Sequence, residues 1–207
     1  MGQFYEASPE LVFRLGDVIT GFQSVVPQID RPETSGGWTI SVERPDYMVV
    51  LTPCCSIADK AIALAPLNHI RPGFCSNAYF AEDLTNINRK MPPEKSVTRV
   101  VWESQLPQDR KQKMMAQGDC YAVMECFVYA PHDLLRRYML DVKPAPIEVG
   151  HYMVDFKSIF RVQCKQINRG AYAPSSTKIL QLSKEAREEL RNKLSFYFWR
   201  PPEEDVA

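Results

Sequence analysis

The sequence predicts a mainly β protein that folds as a small barrel, with an α-containing insertion and a C-terminal helix. Short apolar runs at about 38–43, 47–52 and 61–67 are each bounded by Pro, Gly or Asp, as strands commonly are. The 16 prolines among 207 residues favour many turns and short elements over a helical bundle. Short, curved strands of this kind close naturally into a small barrel.

The length of 207 residues fits one domain with a core of normal size. We therefore expect residues 1–207 to form a single domain. The predicted barrel core covers about 15–70 and 119–182, the insertion covers about 71–118, and the C-terminal helix covers about 183–199.

Composition argues against several classes of protein. Lys and Arg together number 25, as do Asp and Glu, so no overall charge attracts nucleic acid or acidic membranes. No run approaches the roughly 18 apolar residues of a membrane span. The segment from Met1 to Ser8 lacks the features of a signal peptide, and the six cysteines do not resemble a secreted disulfide framework. We expect a cytoplasmic protein that does not enter a membrane.

The first strand of the predicted barrel begins at Gly16–Asp17 and continues into Val18–Ile19–Thr20. The run at 38–43 alternates apolar and polar residues, which is typical of a strand. The run at 47–52 is apolar on both faces and therefore predicts a central strand that is covered on both sides. The run at 61–67 predicts the next strand.

The insertion carries a local excess of positive charge. From Asn86 to Met115 the sequence contains seven basic and three acidic residues. A solvated surface is the ordinary interpretation of such a run, and a face that touches phosphate is the functional one. For the functional interpretation the candidate nucleic-acid-binding residues are Arg89, Lys90, Lys95, Arg99 and Trp102. Core packing is favoured for Trp102 over base stacking.

The C-terminal half predicts further strands at 120–130, 151–156 and 159–164, followed by a helix that Ser183 caps. Ala186, Leu190 and Leu194 give this helix an apolar stripe with a spacing of four. Glu189 and Lys193 can pair across one turn on its exposed side.

The chain contains none of the G-x-x-x-x-G-K-[ST], G-x-G-x-x-G, H-E-x-x-H and G-x-S-x-G motifs. Their absence argues against a P-loop protein, a dinucleotide-binding protein, a zinc metalloprotease and an α/β-hydrolase. Three short motifs point elsewhere. Gly16–Asp17–Val18–Ile19 is followed by Glu43–Arg44–Pro45 before the apolar strand, and the next strand ends at Pro66–Leu67. In this order the region of about 15–70 resembles the MazF/PemK toxins, which have an SH3-like small barrel.

The resemblance implies RNA cleavage by a metal-independent endoribonuclease. Arg44 matches the family's catalytic arginine, whose guanidinium would hold phosphate oxygens. The family's threonine falls on Asn68, which can donate a hydrogen bond but cannot exchange a proton in the same way. His69 could act as an acid or base. It lies next to Asn68, however, and neighbours on a strand point to opposite sides, so a structural role for His69 is favoured. A plain surface role stays open for Arg44.

Cysteines raise the question of a metal. Cys54, Cys55, His69 and Cys75 could converge at one end of the barrel, but no Cys-x-x-Cys pair is present. Buried, uncharged thiols are the default interpretation, and Cys126 in a predicted strand is expected in the core. We predict neither a metal nor a cofactor.

Two functions remain. The first is a non-catalytic small-barrel subunit or adaptor in a prokaryotic toxin–antitoxin-like or phage-defence assembly, with a protein partner. The alternative is a MazF-like toxin that binds or cleaves RNA, with Arg44, Asn68 and His69 at its site. The neutral net charge and the missing threonine hydroxyl favour the first, and a homo-oligomer stays open.

Overall fold

The structure, a computed structural model, describes residues 3–29, 38–53, 61–77, 80, 82–89, 101–116, 123–163 and 177–199. They fall into two compact units. Unit A comprises Glu6–Leu67 and Ile159–Gln181, and unit B comprises Met1–Tyr5, Asn68–Ser158 and Leu182–Ala207. The ranges predicted to form one barrel core are thus divided between two units, and the single domain stays a prediction.

The strands of the described chain are, in order, β1 (Val18–Thr20), β2 (Ser24–Ile29), β3 (Trp38–Glu43), β4 (Met48–Val50), β5 (Ala61–His69), β6 (Cys126–Tyr129), β7 (Tyr138–Leu140), β8 (Ile147–Val149), β9 (Tyr152–Asp155), β10 (Phe160–Gln163) and β11 (Thr177–Leu180). The α-helices are α1 (Pro72–Cys75), α2 (Gln108–Ala116) and α3 (Lys184–Trp199). Short 3-10 turns cover Leu84–Asn88 and Phe156–Ser158, and a π-helical turn covers Val101–Gln105.

Unit A contains an antiparallel sheet in the order β11-β1-β4-β5, with β10 paired to β5. The fold is mainly β. Because the sheet curls like half of a barrel, it is compatible with a small β-barrel. The predicted strands at 38–43, 47–52 and 61–67 are confirmed as β3, β4 and β5.

Strand β4 is the centre of this sheet. Val49 lies opposite both Val18 and Ala65, and all three residues of β4 are completely buried. Met48 and Val50 pack into the hydrophobic cluster of the unit, while Val49 between them points to the other face. The predicted central strand, covered on both sides, is therefore confirmed.

The Gly16–Asp17 pair at the start of β1 has a structural explanation. Gly16 adopts a φ of 86°, in the left-handed region that favours glycine. The turn places the Asp17 carboxylate in the interior, where one oxygen accepts the Arg14 N–H at 2.7 Å and lies 2.6 Å from Lys178 Nζ. The motif thus builds a buried ion pair.

Strands β2 and β3 form a separate two-stranded ribbon, which we call the ribbon. Ile40 and Val42 of β3 are 65% and 53% exposed, and their register partners on β2 are Pro27 and Val25. Ile40 and Val42 of β3 therefore lie in solvent.

Unit B pairs β6 with β9 and β7 with β8, each antiparallel. Its hydrophobic core draws on β6, β9, the 3-10 turn Leu84–Asn88 and the aromatic residues Phe74 and Phe80. Asn88 ties that turn to β6, because its side chain donates to Val128 O at 2.6 Å and accepts from Val128 N at 2.7 Å. The predicted strands near 151–156 and 159–164 are confirmed as β9 and β10.

Helix α3 confirms the predicted C-terminal helix, and Ser183 caps it through a 3.2 Å hydrogen bond from Ala186 N to Ser183 Oγ. The buried residues of α3 are Ala186, Leu190 and Lys193. The prediction that Lys193 lies on the exposed side is therefore wrong. With 3.6 residues per turn, spacings of four and then three keep one face, whereas repeated spacings of four drift around the helix.

Candidate functional site

Arg44, the arginine that the toxin resemblance singles out, lies in the turn between β3 and β4 of unit A and is exposed. Asn68 and His69 are the last two residues of β5, belong to unit B and are also exposed. The structure places all three on the surface. The division between the units separates Arg44 from the other two, so a joint site stays a prediction.

His69 is held by aromatic contacts. Its ring stacks on Tyr138 with 3.7 Å between ring centroids and 5° between planes, and Tyr152 meets it edge-on at 5.7 Å. Tyr138 is itself fixed, because its hydroxyl donates to His151 O at 2.6 Å and accepts from Ile70 N at 2.8 Å. The arrangement supports the structural interpretation of His69, through stacking at the end of the strand.

Of the five basic-insertion candidates, Arg89 and Trp102 lie within the described residues. Arg89 is exposed at the end of the 3-10 turn. Trp102 is only 8% exposed and packs in the hydrophobic core of unit B, which agrees with the packing role favoured for it. Lys90, Lys95 and Arg99 lie outside the described residues.

A charged cluster in unit B links α1 to two strands. Arg71 Nη1 lies 2.9 Å from Glu125 Oε1 and Nη2 lies 2.7 Å from Asp155 Oδ2, with all three side chains partly buried. Arg71 also lies over the Phe74 ring at 5.7 Å. Burial opposes ionisation of Glu125, but a backbone hydrogen bond and the hydrogen bond from the Arg71 guanidinium lower its pKa. Because Arg71 binds one carboxylate oxygen of Glu125 and one of Asp155, we interpret the cluster as a structural clamp.

Unit B also contains a cleft of about 420 Å³ between the 3-10 turn Leu84–Asn88 and the start of α3. We call it the polar cleft. Its ionisable lining residues are Asp83, Arg89, His151, Glu185 and Glu189. Burial lowers the pKa of His151, with Asp83 opposing, so the imidazole is mostly neutral at pH 7. Three carboxylates then face one guanidinium, which gives the cleft a negative character.

A smaller cavity of about 60 Å³ adjoins the polar cleft at Arg89 and Glu189, which line both. Lys193 reaches this inner cavity from α3, although the residue is only 6% exposed. Its Nζ donates to Ile87 O. Burial lowers the pKa of Lys193 to about 8, while Cys126, Glu125 and Glu189 oppose the change. A buried lysine beside a cavity is the least expected feature of the unit.

The cysteines in the described residues are free. Cys126 is buried in β6, as predicted, and burial raises its pKa to about 11. Cys75 is half-buried, and burial raises its pKa as well, so neither thiol is activated as a nucleophile. Cys54 and Cys55 lie outside the described residues. Over the ranges that the structure covers, no three His, Cys, Asp or Glu side chains form a metal-binding group.

Sequence reasoning missed Lys193, because a lysine in an amphipathic helix is normally solvated. A signal was present: Ala186, Leu190 and Lys193 follow the spacing of four and three that one buried helix face requires. The polar cleft had no such signal, since its lining comes from segments about 100 residues apart. None of the helices in the described part of the chain is long and apolar enough to span a membrane.

A comparison of the chain with protein-family models, with curated proteins and with solved structures finds no match.

Proposed function

We propose that this chain is a non-catalytic subunit or adaptor in a prokaryotic assembly of the toxin–antitoxin or phage-defence type, acting in the cytoplasm. One observation carries the proposal: the ribbon exposes Ile40 and Val42, at 65% and 53%, instead of burying them. The two side chains are two residues apart on β3 and so share one face of the ribbon. Their register partners, Pro27 and Val25, are apolar residues as well.

An isolated two-stranded ribbon is at best marginally stable in water, so it gains from an apolar surface that covers it. Burying one such side chain contributes on the order of 1–2 kcal/mol. The uncharged residues at these positions suit an apolar protein surface better than a phosphate backbone, which requires cations. We therefore assign the ribbon to a protein partner, the product of a neighbouring gene.

Two features of the predicted catalytic residues support a non-catalytic role. Asn68 carries an amide, which does not exchange a proton in the way that the family's threonine hydroxyl would. His69 stacks on Tyr138 and meets Tyr152 edge-on, which orients its ring for packing. Both features favour the non-catalytic role over acid–base chemistry at these two residues.

The proposal is tested by co-expressing the chain with the product of each neighbouring gene and measuring complex formation by size-exclusion chromatography with light scattering. We expect one product to bind. The double variant Ile40→Thr, Val42→Thr keeps β-branched side chains but removes the apolar face, and it should weaken that complex by at least about tenfold.

Met139 on β7 provides the matched control, because it is 64% exposed on a different hairpin. Met139→Thr should leave the complex unchanged. A complex that tolerates the ribbon variant, or the absence of any complex, contradicts the adaptor proposal. Wild-type self-association that the ribbon variant abolishes would make a second copy the occupant instead.

The second candidate is a MazF-like toxin that binds or cleaves RNA. The observation in its favour is that Arg44, Asn68 and His69 are all exposed and therefore accessible to a phosphate backbone. Incubation of the purified protein with labelled RNA tests it, with Arg44→Ala as the critical variant. Arg161→Ala serves as the control, since Arg161 is another exposed arginine of unit A. Cleavage that Arg44→Ala abolishes and Arg161→Ala preserves would favour the toxin.

A further inference from the structure

The polar cleft and the inner cavity of unit B form a built site that neither proposed function uses. The cleft measures about 420 Å³, within the range of pockets that hold small molecules. The inner cavity adds about 60 Å³, enough for a group the size of a carboxylate or a few waters. Arg89 and Glu189 line both, so the inner cavity adjoins the cleft.

Two of the residues that line the inner end of this site carry a positive charge. Lys193 and Arg89 face one carboxylate there, that of Glu189. An ammonium group has three donors, and among the described contacts Lys193 uses one of them, towards Ile87 O. Burying a cation is costly unless partners satisfy it. Lys193 lines the inner cavity, and two of its three N–H donors have no hydrogen bond among the described contacts.

The outer part of the site has the opposite charge. Asp83 and Glu185 line the polar cleft but not the inner cavity, and Glu189 lies at the junction. Asp83 caps the 3-10 turn with Oδ1, which accepts Thr85 N at 2.9 Å and Thr85 Oγ1 at 2.6 Å. Glu185, in the first turn of α3, is exposed. A positively charged group is favoured beside these carboxylates.

We propose that the polar cleft binds a small zwitterion of amino-acid size, with its carboxylate at Lys193 and Arg89 and its ammonium group at Glu185 and Asp83. The two ends of such a ligand match the two ends of the site in sign. The buried lysine gives the inner end its affinity, because a hydrogen bond between charged groups away from water is among the stronger polar contacts. The acidic outer wall selects against ligands that lack a positive charge.

The test uses the full chain and the standard L-amino acids as probes, each measured by isothermal titration calorimetry at millimolar concentration. We expect at least one amino acid to bind. Its amide, which lacks the carboxylate, and its N-acetyl derivative, which lacks the ammonium group, should each bind at least about tenfold more weakly.

Two variants assign the ends of the site. Lys193→Met should weaken binding of the amino acid by on the order of tenfold or more. Glu185→Gln should weaken binding of the amino acid. Binding of its N-acetyl derivative should not change, because that ligand has no ammonium group. The controls are Lys184→Met and Glu188→Gln, exposed residues of α3 that do not line the site, and neither should alter binding.

Thermal unfolding of each variant shows whether it is folded, and Glu185→Gln, on the surface, provides a result that does not depend on the buried position. The absence of binding by every amino acid overturns the proposal. Binding that Lys193→Met leaves unchanged, or that Glu185→Gln weakens equally for the N-acetyl derivative, overturns it as well.

Discussion

Among the described residues, each unit contains a lysine with a buried side chain, and the surroundings of the two lysines differ. In unit A the side chain of Lys178 is 2% exposed and meets the Asp17 carboxylate at 2.6 Å, with Val12 O at 3.0 Å and Gln181 Oε1 at 2.8 Å. In unit B the described hydrogen bond of Lys193 is to a single backbone carbonyl, Ile87 O. One buried ammonium is surrounded by acceptors, and the other is not.

The difference shows which buried charge belongs to the fold and which is available to a ligand. Lys178 has three acceptors for three donors, so nothing further is needed to satisfy it. Burial lowers its pKa, and the hydrogen bond to Asp17 opposes that change. Lys193 adjoins a cavity, and burial lowers its pKa to about 8. A cation that the protein itself leaves partly unsatisfied marks a candidate binding site.

Removing the charged partner of Lys178 should have the largest effect on the free energy of unfolding. Asp17→Asn removes the negative charge beside Lys178 without changing the size of the side chain. We expect the free energy of unfolding to fall by about 3–5 kcal/mol, because an uncompensated charge then stays buried. Urea denaturation at neutral pH measures this change.

A surface ion pair in the same unit provides the control for Asp17→Asn. Glu10 pairs with Arg14 at 2.5 Å, four residues apart and partly exposed. Glu10→Gln should lower the free energy of unfolding by less than about 0.5 kcal/mol. The double variant Asp17→Asn, Lys178→Met should recover most of the stability, since no charge remains to be buried. A loss for Asp17→Asn as small as that for Glu10→Gln would contradict the structural role of the pair.

Removing the unsatisfied lysine should have the next largest effect, and that effect should depend on pH. The pKa of Lys193 is about 8 in the folded state, against an ordinary value of 10.5. Below pH 8 both folded and unfolded chains hold the proton, so the burial cost is constant. Between pH 8 and 10.5 the unfolded chain holds more protons, so stability rises with pH. The free energy of unfolding of Lys193→Met should therefore exceed that of the wild type by the largest amount at pH 7.

The stability difference between Lys193→Met and the wild type should shrink by on the order of 3 kcal/mol between pH 7 and pH 10.5. Urea denaturation at several pH values measures it. Lys184→Met, at the exposed start of α3, should show a difference that does not change over this range. A difference for Lys193→Met that is independent of pH would mean that the lysine keeps its ordinary pKa when folded.

The sequence was sufficient for elements whose pattern is local. The doubly apolar run at 47–52 predicts a central strand, and β4 is buried on both faces. The Ser183 cap and the stripe that follows predict α3. The ribbon differs, because alternation in β3 predicts a strand but not the exposure of Ile40 and Val42. Alternation shows that two faces differ but not whether the apolar one is covered within the chain.

The candidate site was less accessible to sequence reasoning. Arg44, Asn68 and His69 were selected by resemblance, which gives residue types but no surroundings. The stacking of His69 on Tyr138 joins positions 69 residues apart in the chain, and no local pattern predicts it. Lys193 was misplaced because the stripe was extended by fours instead of by the helical repeat. Clefts depend on such long-range packing.

A half-buried cation with two acidic partners should show a smaller effect on stability than either lysine. Arg71 contacts Glu125 and Asp155 at 2.9 Å and 2.7 Å. Arg71→Gln should lower the free energy of unfolding by about 1–2 kcal/mol, since water reaches the carboxylates left behind. Urea denaturation measures the loss, and Arg137→Gln is the control, because its pair with Glu148 is exposed. Equal losses for the two variants would contradict the clamp.

An aromatic contact without an acidic partner should have the smallest effect. His69 stacks on Tyr138, whose hydroxyl is fixed between two backbone groups. His69→Ala should lower the free energy of unfolding by about 0.5–1 kcal/mol, and His69→Phe should preserve it, because a phenyl ring can keep the stack. Parallel urea denaturation and RNA incubation separate packing from chemistry. If His69→Phe is as stable as the wild type but abolishes RNA cleavage, His69 is an acid–base group and the toxin replaces the adaptor; unchanged stability of His69→Ala would remove the packing role.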